Sequence, residues 1–267
     1  MGRALLVGML LLAATAAAQQ GSRASQRVMR APQERPEVRP GKNFYFTRAV
    51  YSDWRSRRYG DDFRGRRRGS WATDYPEADL HFFIGLTRLT NIDAYDGENA
   101  LRLDDPAIRR FPLLYAVEVG WMDLTEPEVE GLRGYLLAGG MLFVDDFWGT
   151  AEWANFEMQM ARVLPEYRAT ELPPDHLVRR TFYTIDSIVQ VPGIWNARRG
   201  GPTWERDGYT PHLRGIYDER GRLLVLISYN SDLGDAWEHA DDPFYPLPYS
   251  NFAFQLGVNA VIYGMSH

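Results

Sequence analysis

Acidic residues and tryptophans stand together directly after four apolar segments of this sequence. Carboxylates form bidentate hydrogen bonds with hydroxyl groups and bind cations, and indole rings stack on sugar rings. A site assembled from these side chains would therefore favour a sugar or a cation. The ligand-binding candidates are Asp53, Trp54, Asp145, Asp146, Trp148, Asp235, Trp237 and Glu238, and Glu118, Trp121 and Asp232 follow the same pattern.

Each of these residues also has a simpler interpretation. Asp145 or Asp146 is at least as well explained as a cap of the following helix, because a carboxylate before a helix is favoured by capping and by the macrodipole. With 8 Trp, 15 Tyr and 13 Phe in the chain, several aromatic side chains must belong to the core. A lone histidine such as His176 is more often structural than catalytic. We expect no metal site and no cofactor, and the catalytic residues, if there are any, stay unknown.

Several classes of chemistry are excluded by what the sequence lacks. Cysteine is absent, so there is no disulfide, thiolate metal site, iron–sulfur cluster or cysteine nucleophile. There is also no Walker loop, no Gly-x-Gly-x-x-Gly after a strand, no Gly-x-Ser-x-Gly elbow and no His-Glu-x-x-His. The commonest nucleotide-binding, serine-hydrolase and zinc-protease functions are therefore removed.

The elements that must position these residues alternate between strands and helices. Apolar runs predict strands at 43–51, 100–103, 112–117, 141–144 and 223–229. Helices are predicted after caps at Asp74, Thr125 and Ser250, the last over 251–265, and over 151–164, whereas 165–215 should hold loops and one or two short strands. This order predicts an α/β fold with a doubly wound, mainly parallel sheet flanked by helices. Because ligands bind beyond the carboxyl ends of such strands, the four acidic groups should converge there.

The amino terminus has the layout of a secretory signal. Arg3 precedes the apolar run 4–14, and the small residues 16–18 suit signal peptidase. We expect residues 1–18 to be a signal peptide, 19–43 to be a disordered Pro- and Arg-rich tether, and 44–267 to be a single domain. No later segment is apolar enough to span a membrane. The expected location is therefore outside the cytoplasm, in the periplasm or secreted.

The formal net charge of −5 hides a strong asymmetry. Residues 55–68 carry a net charge of +5, whereas residues 69–267 carry −15. An arginine cluster can bind anionic surfaces through Arg64, Arg66, Arg67 and Arg68. Because aromatic residues are sparse among these arginines, we expect no nucleic-acid partner and favour a surface loop lying over its own acidic body.

A set of motifs carries a family resemblance that covers about residues 44–265. It resembles an uncharacterised bacterial family known as domain of unknown function 4159, in Phe44–Arg48 with Asp53-Trp54, Phe111–Tyr115, Leu132–Leu136, Gly139–Asp146, Asp175-His176, Asp235–Glu238 and Leu256–Asn259. The resemblance implies a class I glutamine amidotransferase-like fold, of flavodoxin-like type. It also implies an envelope setting, because such domains are often found in larger envelope proteins.

The resemblance also implies what the chain does not do. In true amidotransferases of this fold a cysteine lies on the turn after a central strand, and the matching stretch 140–149 has Asp145-Asp146-Phe147-Trp148 instead. Glutaminase activity is therefore excluded. We expect a non-catalytic binding or scaffold domain whose partner is an envelope protein or a glycan. The alternative is a carbohydrate-active or other hydrolase that uses Asp145 or Asp146 with Asp235 or Glu238 as an acid/base pair, roughly 5 to 9.5 Å apart.

Overall fold

A computed structural model describes residues 42–54 and 69–267 of the chain. The predicted signal peptide, all but the last two residues of the predicted tether, and Arg64, Arg66, Arg67 and Arg68 lie outside the described residues. Of the tether, Lys42 places its Nζ 2.6 Å from Asp93 Oδ1, and the Asn43 amide donates to the Asp93 carbonyl. Within the described ranges, none of the helices has the length and apolar character needed to cross a membrane.

Seven strands form one sheet, in the order β2-β1-β3-β4-β7-β6-β5. The first five strands in that order are parallel, and β6 and β5 add an antiparallel edge. Their bounds are Thr47–Val50 (β1), Ala100–Arg102 (β2), Leu113–Val117 (β3), Met141–Asp145 (β4), Ala169–Glu171 (β5), His212–Tyr217 (β6) and Leu223–Tyr229 (β7). The α/β architecture with a mainly parallel sheet is thus confirmed.

Helices cover both faces of this sheet. Side chains of α1, α4, α5 and α6 share a core with Tyr115 and Phe143, whereas those of α2 and α3 share a core with Leu114 and Leu142. Neighbouring residues of one strand therefore enter opposite cores, as the pleat requires. The helix bounds are Glu77–Leu89 (α1), Glu126–Leu137 (α2), Gly149–Val163 (α3), Ile194–Arg199 (α4), Leu233–Glu238 (α5) and Leu247–Ser266 (α6).

Two helix starts differ from the sequence prediction. Helix α1 begins at Glu77 with Pro76 at its N-cap, so the prediction of Asp74 as the cap is wrong. Helix α6 begins at Leu247, four residues earlier than expected, and Ser250 lies buried inside it. In both helices the N-cap residue is a proline, Pro76 for α1 and Pro246 for α6, and no side chain caps the helix from that position.

The sheet has a topological switch point between β1 and β3. After β1 the chain continues to α1 on one face of the sheet, and after β3 it continues to α2 on the other face. Two connections that depart to opposite faces leave a crevice at the carboxyl ends of the strands between them. The sequence positions that follow β1 and β3 include Trp54 and Trp121, which meet at this crevice with ring centroids 4.6 Å apart.

Candidate functional site

Three adjacent strands end in turns that share an unusual backbone conformation. Glu118 after β3, Asp146 after β4 and Asn230 after β7 have φ values of 53°, 51° and 59°, a left-handed region that non-glycine residues seldom adopt. The Glu118 amide donates to the Asp146 carbonyl at 3.0 Å, and the Asp146 amide donates to the Ser231 carbonyl at 3.1 Å. These backbone bonds tie the three turns into one rigid edge, and left-handed backbone of this kind clusters at functional sites.

Three carboxylates meet at this edge, and we call them the acidic trio: Asp74, Asp146 and Asp232. One carboxylate oxygen from each residue lies within 4.8 Å of the others. Asp146 and Asp232 are buried, whereas Asp74 is half-buried and reaches the trio from the loop before α1. Arg48 holds that loop, because its Nη1 donates to the Thr73 carbonyl at 3.1 Å.

Electrostatics of the acidic trio oppose full ionisation. Burial raises the pKa of all three carboxyls well above the ordinary value, and their mutual repulsion and that of neighbouring acids raises it further. In the described part of the chain, none of the three forms an ion pair with Lys, Arg or His within 4.0 Å. The trio therefore attracts protons or cations.

A second group of ligand-type side chains adjoins the trio. Asp235, Glu238 and His239 also place one ligand-type atom each within 4.8 Å of the others. His239 Nε2 lies 3.6 Å from Asp235 Oδ1 and 4.0 Å from Glu238 Oε2. Glu238 lies close enough to Asp74 for its charge to raise the pKa of that carboxyl, so the two groups are neighbours. No pattern in the sequence marks His239 as part of this group, because helix α5, which brings the three side chains together, was not predicted.

Asp145 has a structural role, but at a different helix from the one that its sequence position predicts. Its Oδ2 accepts hydrogen bonds from the Leu233 amide at 2.7 Å, the Gly234 amide at 3.2 Å and the Tyr115 hydroxyl at 3.0 Å. Asp145 therefore holds the start of α5. Neither it nor Asp146 caps the following helix α3, because the N-cap of α3 is Trp148 and the first amides of the helix donate to Asn230 Oδ1 and Asp207 Oδ1. The interpretation of Asp145 or Asp146 as the cap of α3 is therefore wrong. Burial also raises the pKa of Asp145 to about 7.

Asp235 is likewise engaged with the backbone. Its Oδ2 accepts from the Ile194 amide at 2.6 Å, at the first residue of α4. A Cβ at Gly193 would lie 3.3 Å from both Asp232 Oδ2 and Asp235 Oδ2, and 3.4 Å from Glu205 Oε1. Glycine at this position lets the chain pass among three carboxylates. Burial raises the pKa of Glu205. The sequence did not mark this residue as a candidate, because it lies in the weakly periodic stretch 165–215.

One of the predicted tryptophans contacts the acidic trio, and another packs against Trp121. Trp148 is buried and its Nε1 donates to Asp146 Oδ1 at 3.0 Å, which fixes that carboxylate. Trp54 is half-buried against Trp121, and the guanidinium of Arg206 lies 5.2 Å from the Trp121 ring centre. Trp54 and Trp121 are therefore part-exposed, whereas Trp148 is buried beside Asp146.

The remaining predicted residues support the site from outside it. Asp53 is buried, and its Oδ2 accepts from the Ser70 amide at 3.1 Å. Trp237 is fully buried in the core, with its ring centre 4.5 Å from that of Phe82. His176 caps a short 3-10 turn, because its Nδ1 accepts from the Val178 amide at 3.2 Å.

The family described as Domain of unknown function (DUF4159) matches residues 58–265 of the chain. A search of curated proteins finds no match. The matched range includes every residue of the acidic trio and of the second group.

Proposed function

The chain belongs to the DUF4159 family, and we propose that it is an exported, non-catalytic binding domain of the bacterial cell envelope whose ligand site is the acidic edge of the sheet. One observation carries the proposal: Asp145 and Asp235, two of the four candidates for acid/base catalysis, each bind backbone amides through Oδ2. A carboxylate that holds a helix start in place is poorly suited to exchange protons with a substrate.

The remaining arrangement suits recognition. Trp54, Trp121, Glu118 and Glu238 are part-exposed, and the charges of Glu118 and Glu238 are close enough to the acidic trio to raise the pKa of Asp74. Indole faces bind sugar rings, and carboxylates accept hydrogen bonds from hydroxyl or ammonium groups. The ligand classes that fit are therefore a glycan or a basic group of an envelope protein.

The amidotransferase-like fold belongs to the same proposal. A left-handed residue, Asp146, follows the central strand β4 where the nucleophile of such enzymes would lie, and the sheet is parallel around it. The chain holds no cysteine, so thiol catalysis is impossible at that turn. Export is supported by the signal-like residues 1–18.

Binding and turnover of a glycan panel test the proposal. We expect the chain without residues 1–18 to bind an envelope glycan without hydrolysing it, and Trp121→Ala to weaken binding about tenfold through loss of ring stacking. Trp195→Ala is the matched control, because Trp195 is 66% exposed on α4, outside the described site. Glycan binding that survives Trp121→Ala and Trp54→Ala unchanged would contradict the placement of the site.

Hydrolysis is the second candidate, and the environment of Asp146 favours it. Burial and neighbouring acids raise the pKa of Asp146, and a carboxyl that keeps its proton can act as a general acid. Its partner would be Glu238, since Asp145 and Asp235 are engaged elsewhere. Turnover on the same panel that disappears in both Asp146→Asn and Glu238→Gln would establish this alternative over the binding function.

A further inference from the structure

We propose that the acidic trio binds one hard divalent metal ion through oxygen atoms of Asp74, Asp146 and Asp232. This inference deepens the proposed function and rests on it, because the ion would form the floor of the same ligand site. Divalent ions of this kind bind carboxylate oxygens at 2.0 to 2.6 Å, so ligand oxygens around one ion lie about 3 to 5 Å apart. The oxygens of the trio lie within 4.8 Å of one another, which fits that spacing.

An independent observation is the Oδ2 atom of Asp74. This oxygen is shielded from solvent and has no hydrogen-bond partner. A Cβ at Gly234 would lie 2.6 Å from Asp74 Oδ2 and 3.6 Å from Asp232 Oδ1, so both oxygens border the same small space beside the start of α5. A buried carboxylate oxygen without a partner is costly to keep. A metal ion between these oxygens would satisfy it.

The other oxygens of the trio are held as metal ligands usually are. Trp148 Nε1 donates to Asp146 Oδ1 at 3.0 Å, and the Asp235 amide donates to Asp232 Oδ1 at 2.8 Å. Such outer hydrogen bonds fix the orientation of a coordinating carboxylate. Asp146 and Asp232 are thus oriented by hydrogen bonds from an indole and a backbone amide.

The charge balance also favours an ion. Three carboxylates lie together, and no described basic side chain is within ion-pair distance of any of them. Oxygen-only ligands select Mg²⁺, Ca²⁺ or Mn²⁺ over softer metals. One divalent ion would offset most of the charge of the trio without requiring a basic residue in the core.

Calorimetric titration of the chelator-treated chain without residues 1–18, with Mg²⁺, Ca²⁺ and Mn²⁺ in turn, tests the proposal. We expect binding of one equivalent of at least one ion, a higher melting temperature in its presence, and a Kd at least about tenfold weaker in Asp146→Asn and in Asp74→Asn. Asp241→Asn, at an exposed carboxylate, is the control and should bind like the wild type. The absence of any binding or melting shift would overturn the proposal.

Luminescence of bound Tb³⁺ gives a second measurement that does not depend on stability. Because the indole of Trp148 contacts Asp146, excitation of tryptophan should sensitise Tb³⁺ in the trio. We expect Trp148→Phe to reduce this emission, and we expect Ca²⁺ still to displace Tb³⁺ from the site in that variant. Loss of binding in His239→Gln, with binding retained in Asp74→Asn and Asp146→Asn, would place the ion in the second group and contradict the trio.

Failure of this inference is separable from failure of the proposed function. Metal binding is measured without glycan, and glycan binding is measured with and without chelator. Metal binding without glycan binding would remove the proposed function and leave the metal site standing. Glycan binding that chelator and Asp74→Asn both leave unchanged, in a chain that binds no metal ion, would remove the metal site and leave the proposed function standing.

Discussion

Asp145 and Asp146 are adjacent in sequence but have opposite roles in the structure. Asp145 is the last residue of β4 and turns its carboxylate toward the start of α5. Asp146 begins the turn after β4 and turns its carboxylate toward Trp148 and the acidic trio. The change from extended to left-handed backbone between them accounts for this difference. One carboxylate therefore serves stability, and the other is available for a ligand.

Asp145→Ala should strongly destabilise the chain. The Leu233 and Gly234 amides and the Tyr115 hydroxyl would lose their acceptor in a buried place. We expect the free energy of unfolding, measured by urea denaturation, to fall by about 2 to 4 kcal/mol. Asp241→Ala, at an exposed carboxylate, should change it by less than about 0.5 kcal/mol. A similar small change in Asp145→Ala would mean that α5 does not depend on this carboxylate.

Asp146→Asn should act in the opposite direction in chelator-treated protein. The substitution removes one buried negative charge from beside Asp74 and Asp232 while keeping the size of the side chain. We expect the free energy of unfolding at pH 8 to rise by about 1 kcal/mol, since sites kept for function commonly lower stability. Thermal melts in the presence of chelator measure this. A clear loss of stability would show that the carboxylate is itself a structural partner.

His176 should make stability depend on pH in one direction. Burial lowers the pKa of His176, so the unfolded chain binds a proton more readily than the folded chain does. Stability from this residue is therefore present above the unfolded value of about 6.5 and is lost as pH falls below it. Protonation would also compete with the bond from the Val178 amide to Nδ1. Comparison of melting temperatures at pH 7.5 and 5.5 should show a smaller drop in His176→Asn than in the wild type.

At the scale of elements, one buried carboxylate joins a helix to a strand end. Glu128 on α2 accepts from the amide and hydroxyl of Ser52 through Oε1, each at 3.0 Å. Its Oε2 accepts from the amide and hydroxyl of Thr125, each at 2.9 Å. Glu128 therefore fixes the first turn of α2 against the segment that leads from β1 to Trp54. The position of Trp54, two residues after Ser52, depends on this connection.

Glu128→Ala should therefore cost more than the loss of an ordinary helix cap. A cap contributes about 1 kcal/mol, whereas here four donors lose a buried acceptor. We expect the free energy of unfolding to fall by about 3 kcal/mol or more. Glu130→Gln, at an exposed position of the same helix, should have little effect. Equal effects of the two substitutions in denaturant titrations would contradict the connecting role of Glu128.

Sequence patterns predicted the elements whose signals are local. The apolar run of β7 coincides with its predicted bounds, and Thr125 with Pro127 correctly marked the start of α2. Helix α5 was not predicted, because its first amides are held by Asp145, 88 residues away in the chain. Asp74 resembled a cap in sequence, yet its backbone is left-handed and its carboxylate lies with those of Asp146 and Asp232. Contacts between distant segments thus decided what local patterns could not.

At the scale of the whole molecule, negative charge and sheet topology act together. Residues 69–267 carry a net charge of −15, and parallel strands bring part of it to one edge of the sheet. Because the edge is acidic and its deepest carboxylates are buried, it should attract cations over a longer range than direct contact. Residues 55–68 carry a net charge of +5. Their binding to anionic surfaces, or to the acidic body of the same chain, stays a prediction.

Export is the prediction that belongs to the whole chain. Residues 1–18 have a basic start, an apolar run and small residues at 16 and 18, which suits cleavage after Ala18. We expect the full sequence, expressed in a bacterial host, to appear in the periplasmic fraction with Gln19 as its first residue, as intact mass would show. Replacement of both Ala16 and Ala18 by Arg should leave the uncleaved chain with the membrane fraction, whereas Leu5→Val, which keeps the run apolar, should be processed normally. Since the chain has no cysteine, its folding after export needs no disulfide, and reductant should leave its melting temperature unchanged. Uncleaved wild-type protein found only in the cytoplasm would remove the envelope from the proposed function while leaving the acidic site intact.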